Sequence, residues 1–296
     1  MPRSAGKRDM RKNPKFILRR ALLTLAGACA LLGAGAASAG VTLEQLREQG
    51  FIRVGFANEA PFAYATSSGQ LTGESPEVFR HIMNKLGVKS VDGVLTEWGA
   101  LIPGLRAGRF DAIVASMYIT PARCKRVIFA DPTYGVGTAM VVKKGNPEGI
   151  NTYEDAIGND AKIAFVAGVA EVEQARMAGM KRGQQVLVPD FAAAVANVKS
   201  GRAAAAAFTS LTAQDLANKD EELERAQPFD FEHDGKTYRG EGAFAFRPED
   251  TGLRDAVNAE LKKFIGTPEH LAMVKEFGFD SSNLPERTAE QHCAGE

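Results

Sequence analysis

Arg123 stands in the first turn of a helix that Thr120-Pro121 should open. A cation there opposes the helix dipole, so its guanidinium invites a use other than helix stability. Its planar fork suits a carboxylate held bidentately. Trp98, the sole tryptophan, sits where a strand gives way to a helix; Phe62 follows Pro61 in a loop, and Tyr118 ends the strand that starts at Asp111. Ring faces hold a diffuse positive charge at roughly 0.5–2 kcal/mol each, and loops at element ends are where ligands commonly lie. Glu59, three residues before Phe62, is a carboxylate that could accept N–H groups or serve as a general acid. Each of these also has a plain structural reading: rings fill cores, Arg123 pairs on the surface, Glu59 caps a turn. The histidines at 81, 233, 270 and 292 have no mutual spacing suited to a metal. Neither metal nor cofactor is expected.

The elements that must position these residues alternate regularly. Ile52–Ala57 reads as a strand, Glu74–Leu86 as a helix with Val78, Ile82, Met83 and Leu86 on one face, and Val91–Leu95 as a strand. Ala100–Ala107 follows as a helix, then Asp111–Ala115 and Ala139–Val142 as strands. The pattern then restarts: strand Lys162–Val166, helix Glu171–Met180, strand Gln185–Val188, helix Phe191–Lys199 and an alanine-rich strand, Ala203–Phe208. Strands separated by helices imply βαβ units and mainly parallel sheets. Gly108 and Gly201 each close a helix and open a strand. That repetition predicts two similarly built lobes: 40–142 with 242–296, and 143–241. Lys143–Pro147 and Tyr238–Gly242 are the expected crossings, acting as hinge strands. A cleft between lobes is then the natural place for a ligand.

Residues 1–39 read as a secretory signal: a basic run from Arg3 to Arg20, an apolar stretch Ala21–Leu32, and Ala37-Ser38-Ala39 as an A-x-A cleavage site. A retained anchor over Ala21–Val41, and twin-arginine export through Arg19-Arg20, are the alternatives. The leader holds eight of 36 basic and one of 36 acidic residues, so a chain that sums to zero becomes one of net charge −7 after cleavage. An acidic body gives no electrostatic reason to bind nucleic acid. The mature chain is expected to be periplasmic. Its two cysteines, Cys124 and Cys293, either pair or stand as separate thiols, and an oxidising compartment favours the bridge.

Thr120-Pro121-x-Arg123, followed by Val127-Ile128-Phe129-Ala130-Asp131-Pro132-x-Tyr134 and preceded by Gly108-Arg109-Phe110-Asp111-Ala112, resembles the signature of family-three extracellular solute-binding proteins. The resemblance covers essentially the whole mature chain. It implies an α/β, two-lobed periplasmic-binding-protein fold (type II, Venus-flytrap) that closes on its ligand. It also implies delivery to the permease of an ABC importer in the inner membrane, by a monomer, with Arg123 gripping the ligand's carboxylate.

A narrower resemblance, to the ectoine/hydroxyectoine-binding branch, rests on Asn58-Glu59-Ala60-Pro61-Phe62, Glu97–Leu105, Cys124, Lys144-Gly145-Asn146-Pro147 and the late Cys293. It implies an aromatic box of Phe62, Trp98 and Tyr118 around a delocalised cation, with Glu59 at its nitrogens. Amino-acid binders of the family usually add a second-lobe aspartate, yet Ala206–Ser210 ends without an acid, although Thr209 stays a candidate contact. The second-lobe turn that usually reads Gly-Thr is Gly168-Val169-Ala170-Glu171. Gly168 and Val169 remain candidates through their backbone N–H groups, while Glu171 is expected to point away from a carboxylate. The expected ligand is a small zwitterion of the ectoine kind. A polar or hydrophobic amino acid is the alternative, and a cyclohexadienyl dehydratase is the distant enzymatic one.

Overall fold

The computed structural model describes residues 1, 40–227, 231–233 and 235–295. The expected signal segment, Cys29 included, lies outside the described residues except for Met1. Residues 40–296 form one compact unit. Among the described residues no helix is long and apolar enough to cross a membrane.

Two larger sheets organise the molecule. The first contains β1 (Phe51–Phe56), β2 (Ser90–Leu95), β3 (Ala112–Tyr118), β4 (Ile128–Phe129) and β5 (Tyr134–Val136). The second contains β6 (Thr138–Lys143), β7 (Ile163–Val166), β8 (Gln185–Val188), β9 (Ala205–Thr209) and β10 (Leu223–Arg225). A last strand, β11 (Gly240–Phe246), returns to the first sheet. In the first sheet β1 runs parallel to both β2 and β3, while β11 is antiparallel to β3, β4 and β5. In the second, β7 runs parallel to β8 and β9, while β6 is antiparallel to β9 and β10. The parallel character read from the sequence therefore holds for three strands of each sheet, and both sheets are mixed. Parallel pairing needs a crossover connection. β6 and β11 arrive from the other lobe without one, and so enter antiparallel.

The outward crossing also lies earlier than Lys143–Pro147. Sheet membership changes at Gly137, because Thr138–Val142 pairs in register with Thr209–Ala205 of the second sheet. An apolar run announces burial, not which sheet buries it. The return begins at Gly240, within the Tyr238–Gly242 stretch. β9 is a strand although alanine favours helix; all five of its residues are buried, and packing overrides the propensity.

The Glu74–Lys85 helix buries Val78, Phe79, Ile82 and Met83 against Phe244 and Val257. Each such side chain contributes roughly 1.5–3 kcal/mol on burial. Gly108 and Gly201 adopt φ of +70° and +73°, the left-handed helix stop that glycine takes without a Cβ clash. The result is a two-lobed α/β protein with helices flanking both sheets.

Candidate functional site

Ligands of open α/β sheets lie beyond the carboxyl ends of the parallel strands, and here both sheets turn those ends toward one recess. It is lined by Glu59, Trp98, Ser116, Tyr118 and Arg123 from the first lobe and by Val169, Glu171, Phe191, Phe208 and Thr209 from the second. Its interior is about 20 Å³, close to the space one water occupies. An adjoining groove of about 650 Å³ shares Trp98, Arg123 and Val169 with it and adds Gly168 and Tyr238.

Arg123 is fixed by its surroundings. Thr120 caps the Pro121–Cys124 helix by accepting from the Arg123 N–H at 3.3 Å. The guanidinium donates through Nη1 to the Tyr118 carbonyl at 2.7 Å and through Nη2 to the Gly168 carbonyl at 2.9 Å. Its Cζ lies 5.7 Å from the Trp98 ring centre. The next residue, Cys124, meets Cys293 with their Cα atoms 5.7 Å apart and their sulfurs at 2.00 Å. The C-terminal helix Ala289–Ala294 thus lies beside the segment that carries the guanidinium. Glu241 on β11 secures the same tail. It accepts from the backbone N–H of Glu286 and Arg287 and contacts His292 Nε2 at 2.8 Å. Burial alone would raise the Glu241 carboxyl, yet these bonds hold it below its usual range.

Glu59 is held by a tight turn after β1. Its N–H donates to the Ala63 carbonyl and its carbonyl accepts from the N–H of Phe62 and Ala63. Asn58 before it takes a left-handed φ of +54°, which asparagine tolerates better than most residues. The side chain points across to the other lobe, where Thr212 Oγ1 donates to Oε1 at 2.8 Å. Thr209 donates to the Thr212 hydroxyl in turn, at 2.9 Å, and caps the Ser210–Lys219 helix. Glu59 is only 7% exposed. Burial pushes its carboxyl up to about 8, against the Thr212 bond, and Glu171 adds to the rise.

Trp98 opens a short 3-10 turn before the Leu101–Arg106 helix and donates from Nε1 to the Gly168 carbonyl at 3.2 Å. Tyr118 is buried at the end of β3, its hydroxyl donating to the Val136 carbonyl at 3.3 Å. Beside it Ser116 holds a left-handed φ of +52° inside the strand, its hydroxyl donating to Glu74 at 3.1 Å. Such strain collects at functional sites.

The structure brings Glu59, Trp98, Tyr118, Arg123, Val169 and Thr209 together, with Gly168 at the edge. Phe62 lies elsewhere. It is 1% exposed and packs 4.9 Å from Tyr134 and 5.3 Å from Phe279, centre to centre, in the first-lobe core. The turn at Pro61 drops the ring into an apolar slot under the site. The additional ring walls are Phe191 and Phe208, the former edge-on to Trp98 at 6.2 Å. Both sit at or just after strand ends, a signal available in the sequence. Gly168 meets the site through its carbonyl, and the Val169 N–H is committed to the Val166 carbonyl at 3.4 Å, so Val169 does not offer the backbone donor expected of it.

Glu171 is the other correction. It turns inward, 4% exposed, onto the recess that holds Arg123 and Glu59. It is the first residue of the short Glu171–Met177 helix, whose preceding residue, Ala170, offers no side-chain cap. Burial pushes its carboxyl up to about 7, while its own backbone N–H and Arg123 pull the other way. The recess therefore presents one guanidinium, two carboxyls of raised pKa and a wall of rings. Among the described residues no cluster of side chains suited to a metal ion is present.

Residues 52–279 match the family model of bacterial extracellular solute-binding proteins, family 3. The chain is 35% identical over 286 residues to a probable amino-acid ABC transporter periplasmic-binding protein of Sinorhizobium fredii, covering 95% of each. The crystal structure of EhuB in complex with hydroxyectoine is similar at 36% identity and a TM-score of 0.77, over 86% of this chain and 98% of that one. An ancestral amino-acid-binding protein, described as a precursor of cyclohexadienyl dehydratase, is similar at 29% identity and a TM-score of 0.69, over 80% and 99%. With its two mixed sheets facing one charged recess, the chain belongs to the family-three bacterial extracellular solute-binding proteins, the binding components of ABC importers.

Proposed function

We infer that this protein works in the periplasm, after removal of a signal near Ala39, and captures a small zwitterion of the ectoine or hydroxyectoine kind for its permease. The observation that carries the reading is that Arg123 and Glu59 line one ring-walled recess. The guanidinium fork takes the ligand's carboxylate. Trp98, Tyr118 and the second-lobe rings face its spread cation, and Glu59 accepts its N–H groups. A recess of about 20 Å³ cannot admit such a ligand as it stands. Capture on this reading begins with the lobes parted, which breaks the Arg123–Gly168, Trp98–Gly168 and Glu59–Thr212 bonds. Gly137 and the segment before Gly240 are the hinge on this view. The likeness to EhuB supports the ligand class.

Calorimetry and thermal shift with ectoine, hydroxyectoine, glycine betaine, proline and a panel of amino acids test it. An ectoine-type ligand should raise the melting temperature by mass action. No heat and no shift with any zwitterion removes the reading.

Two further readings have specific support. Glu171 supplies the second-lobe acid that an amino acid's ammonium would use, and the panel decides that case. Carboxyls raised to about 8 and 7 also suit a general acid, which is what a dehydratase requires. Turnover of prephenate or arogenate by the purified protein would establish catalysis, and its absence leaves binding.

A further inference from the structure

Glu171 is buried and faces the recess, and its carboxylate is supported by its own backbone N–H and by the charge of Arg123. Glu59, by contrast, has the Thr212 hydroxyl. A buried carboxylate left this short of donors costs stability. Its nearest cation is Arg123, which already serves two carbonyls and, on the reading proposed above, a ligand carboxylate. The other polar groups that act on Glu171, or that it acts on, are Glu59 and the phenols of Tyr118, Tyr134, Tyr153 and Tyr238. The phenol nearest in chain position to the guanidinium, Tyr118, has given its proton to the Val136 carbonyl. Among the described residues no side chain donates a hydrogen bond to Glu171, and its own backbone N–H is the one bond acting on the carboxyl.

We propose that Glu59 and Glu171 form a two-carboxylate clamp, one jaw on each lobe, which selects zwitterions whose cation carries at least two N–H groups. A cyclic amidinium offers two N–H bonds that diverge, and an ammonium offers two or three, so either type reaches both jaws at once. A fully methylated ammonium has none. It satisfies the ring walls but leaves both carboxylates without a donor, and a site built for N–H groups rejects an analogue lacking them. The clamp also links closure to ligand chemistry, because the second jaw engages only when the second lobe arrives. This inference rests on the zwitterion reading and narrows it to a substrate class.

The experiment compares ectoine with glycine betaine, and proline with its dimethylated betaine, by calorimetry on the wild type, Glu171→Gln and Glu171→Asp. Melting temperatures of the ligand-free proteins are recorded alongside. The wild type should bind the N–H-bearing member of at least one pair and not its methylated counterpart. Glu171→Gln should weaken that binding about ten- to a hundredfold, since charge-assisted hydrogen bonds are the strong ones. The ligand-free Glu171→Gln protein should melt no lower than the wild type, because the amide removes an uncompensated charge, and Glu171→Asp should recover part of the affinity. Equal binding of a betaine and its N–H partner overturns the clamp and leaves the zwitterion reading intact. So does unchanged affinity in Glu171→Gln, or a lost affinity that merely tracks a lowered melting temperature. Failure of every zwitterion to bind the wild type removes the reading, and the clamp with it.

Discussion

The two walls of the recess are built differently. On the first-lobe wall the backbone beneath each polar side chain is held from its own side: Arg123 by the Thr120 cap, with its guanidinium also on the Tyr118 carbonyl, Glu59 by the turn over 58–63, and the Arg123 segment by Cys293. The second-lobe wall is mostly apolar, with Val169, Phe191 and Phe208, and among the described residues no side chain donates to its acid, Glu171, which has its own backbone N–H. One wall is set before any ligand arrives, and the other is completed by contact. Preorganisation on one side lowers the entropy lost in first capture. Unsatisfied groups on the other side make closure depend on what was captured.

The largest effect should come from the preset wall. Arg123→Ala is expected to weaken binding at least about a hundredfold by calorimetry, because it removes a bidentate charge pair. A loss under about tenfold would mean that the ligand's anion lies elsewhere. Next, Trp98→Ala should cost about ten- to thirtyfold and Phe191→Ala a few-fold, within the range of single ring–cation contacts. Equal losses would erase the contrast between the walls.

The tail strap should matter more for stability than for affinity. Replacing Cys124 and Cys293 by serine opens a loop with a sequence separation of 169, for which chain entropy gives up to about 5 kcal/mol. A drop of several degrees in melting temperature with affinity within about fivefold is the expected result. A larger affinity loss would show that the strap aims Arg123.

The smallest effect is that of pH on the ligand-free protein. Glu59, Glu74 and Glu171 bind protons more tightly folded than unfolded. Their contribution is whole below about pH 4.5 and is lost as pH rises through about 7 to 8. His270, pushed down to about 4 by burial, acts the opposite way and costs stability only as pH falls below about 6.5. Between pH 6.5 and 8.5 the melting temperature should therefore decline. Bound ligand should flatten that decline, because its cation favours the ionised carboxylates. Glu171 answers here to Arg123, Glu59, Tyr118, Tyr134, Tyr153 and Tyr238 together. A rise in stability over this interval would contradict the burial of both jaws.

The same contrast explains what was legible in the sequence. Apolar runs and glycine stops gave the alternating longer strands and helices of 52–115 and 162–208, because periodicity and the left-handed stop are local. The Thr120-Pro121-Arg123 segment was legible because cap, proline and arginine lie within four positions. Which sheet owns Thr138–Lys143 was not, since any apolar strand can pair with either. The burial of Phe62 in the core and the place of Phe191 on the recess were hidden for a related reason: a ring at a loop or helix start shows what it is, not which way the turn throws it. Glu171 was least legible of all. A carboxylate in the first turn of a helix ordinarily faces water, and only the opposing lobe reveals that this one does not.

The strap at Cys293 has a practical side. A Cβ placed at Gly295 would meet Pro121 Cγ at 3.7 Å, so the helix that carries Cys293 ends beside the turn that presents the guanidinium. Production in a reducing host would leave that helix unfastened. Measurements made on such material would report on the missing bridge before they reported on the solute.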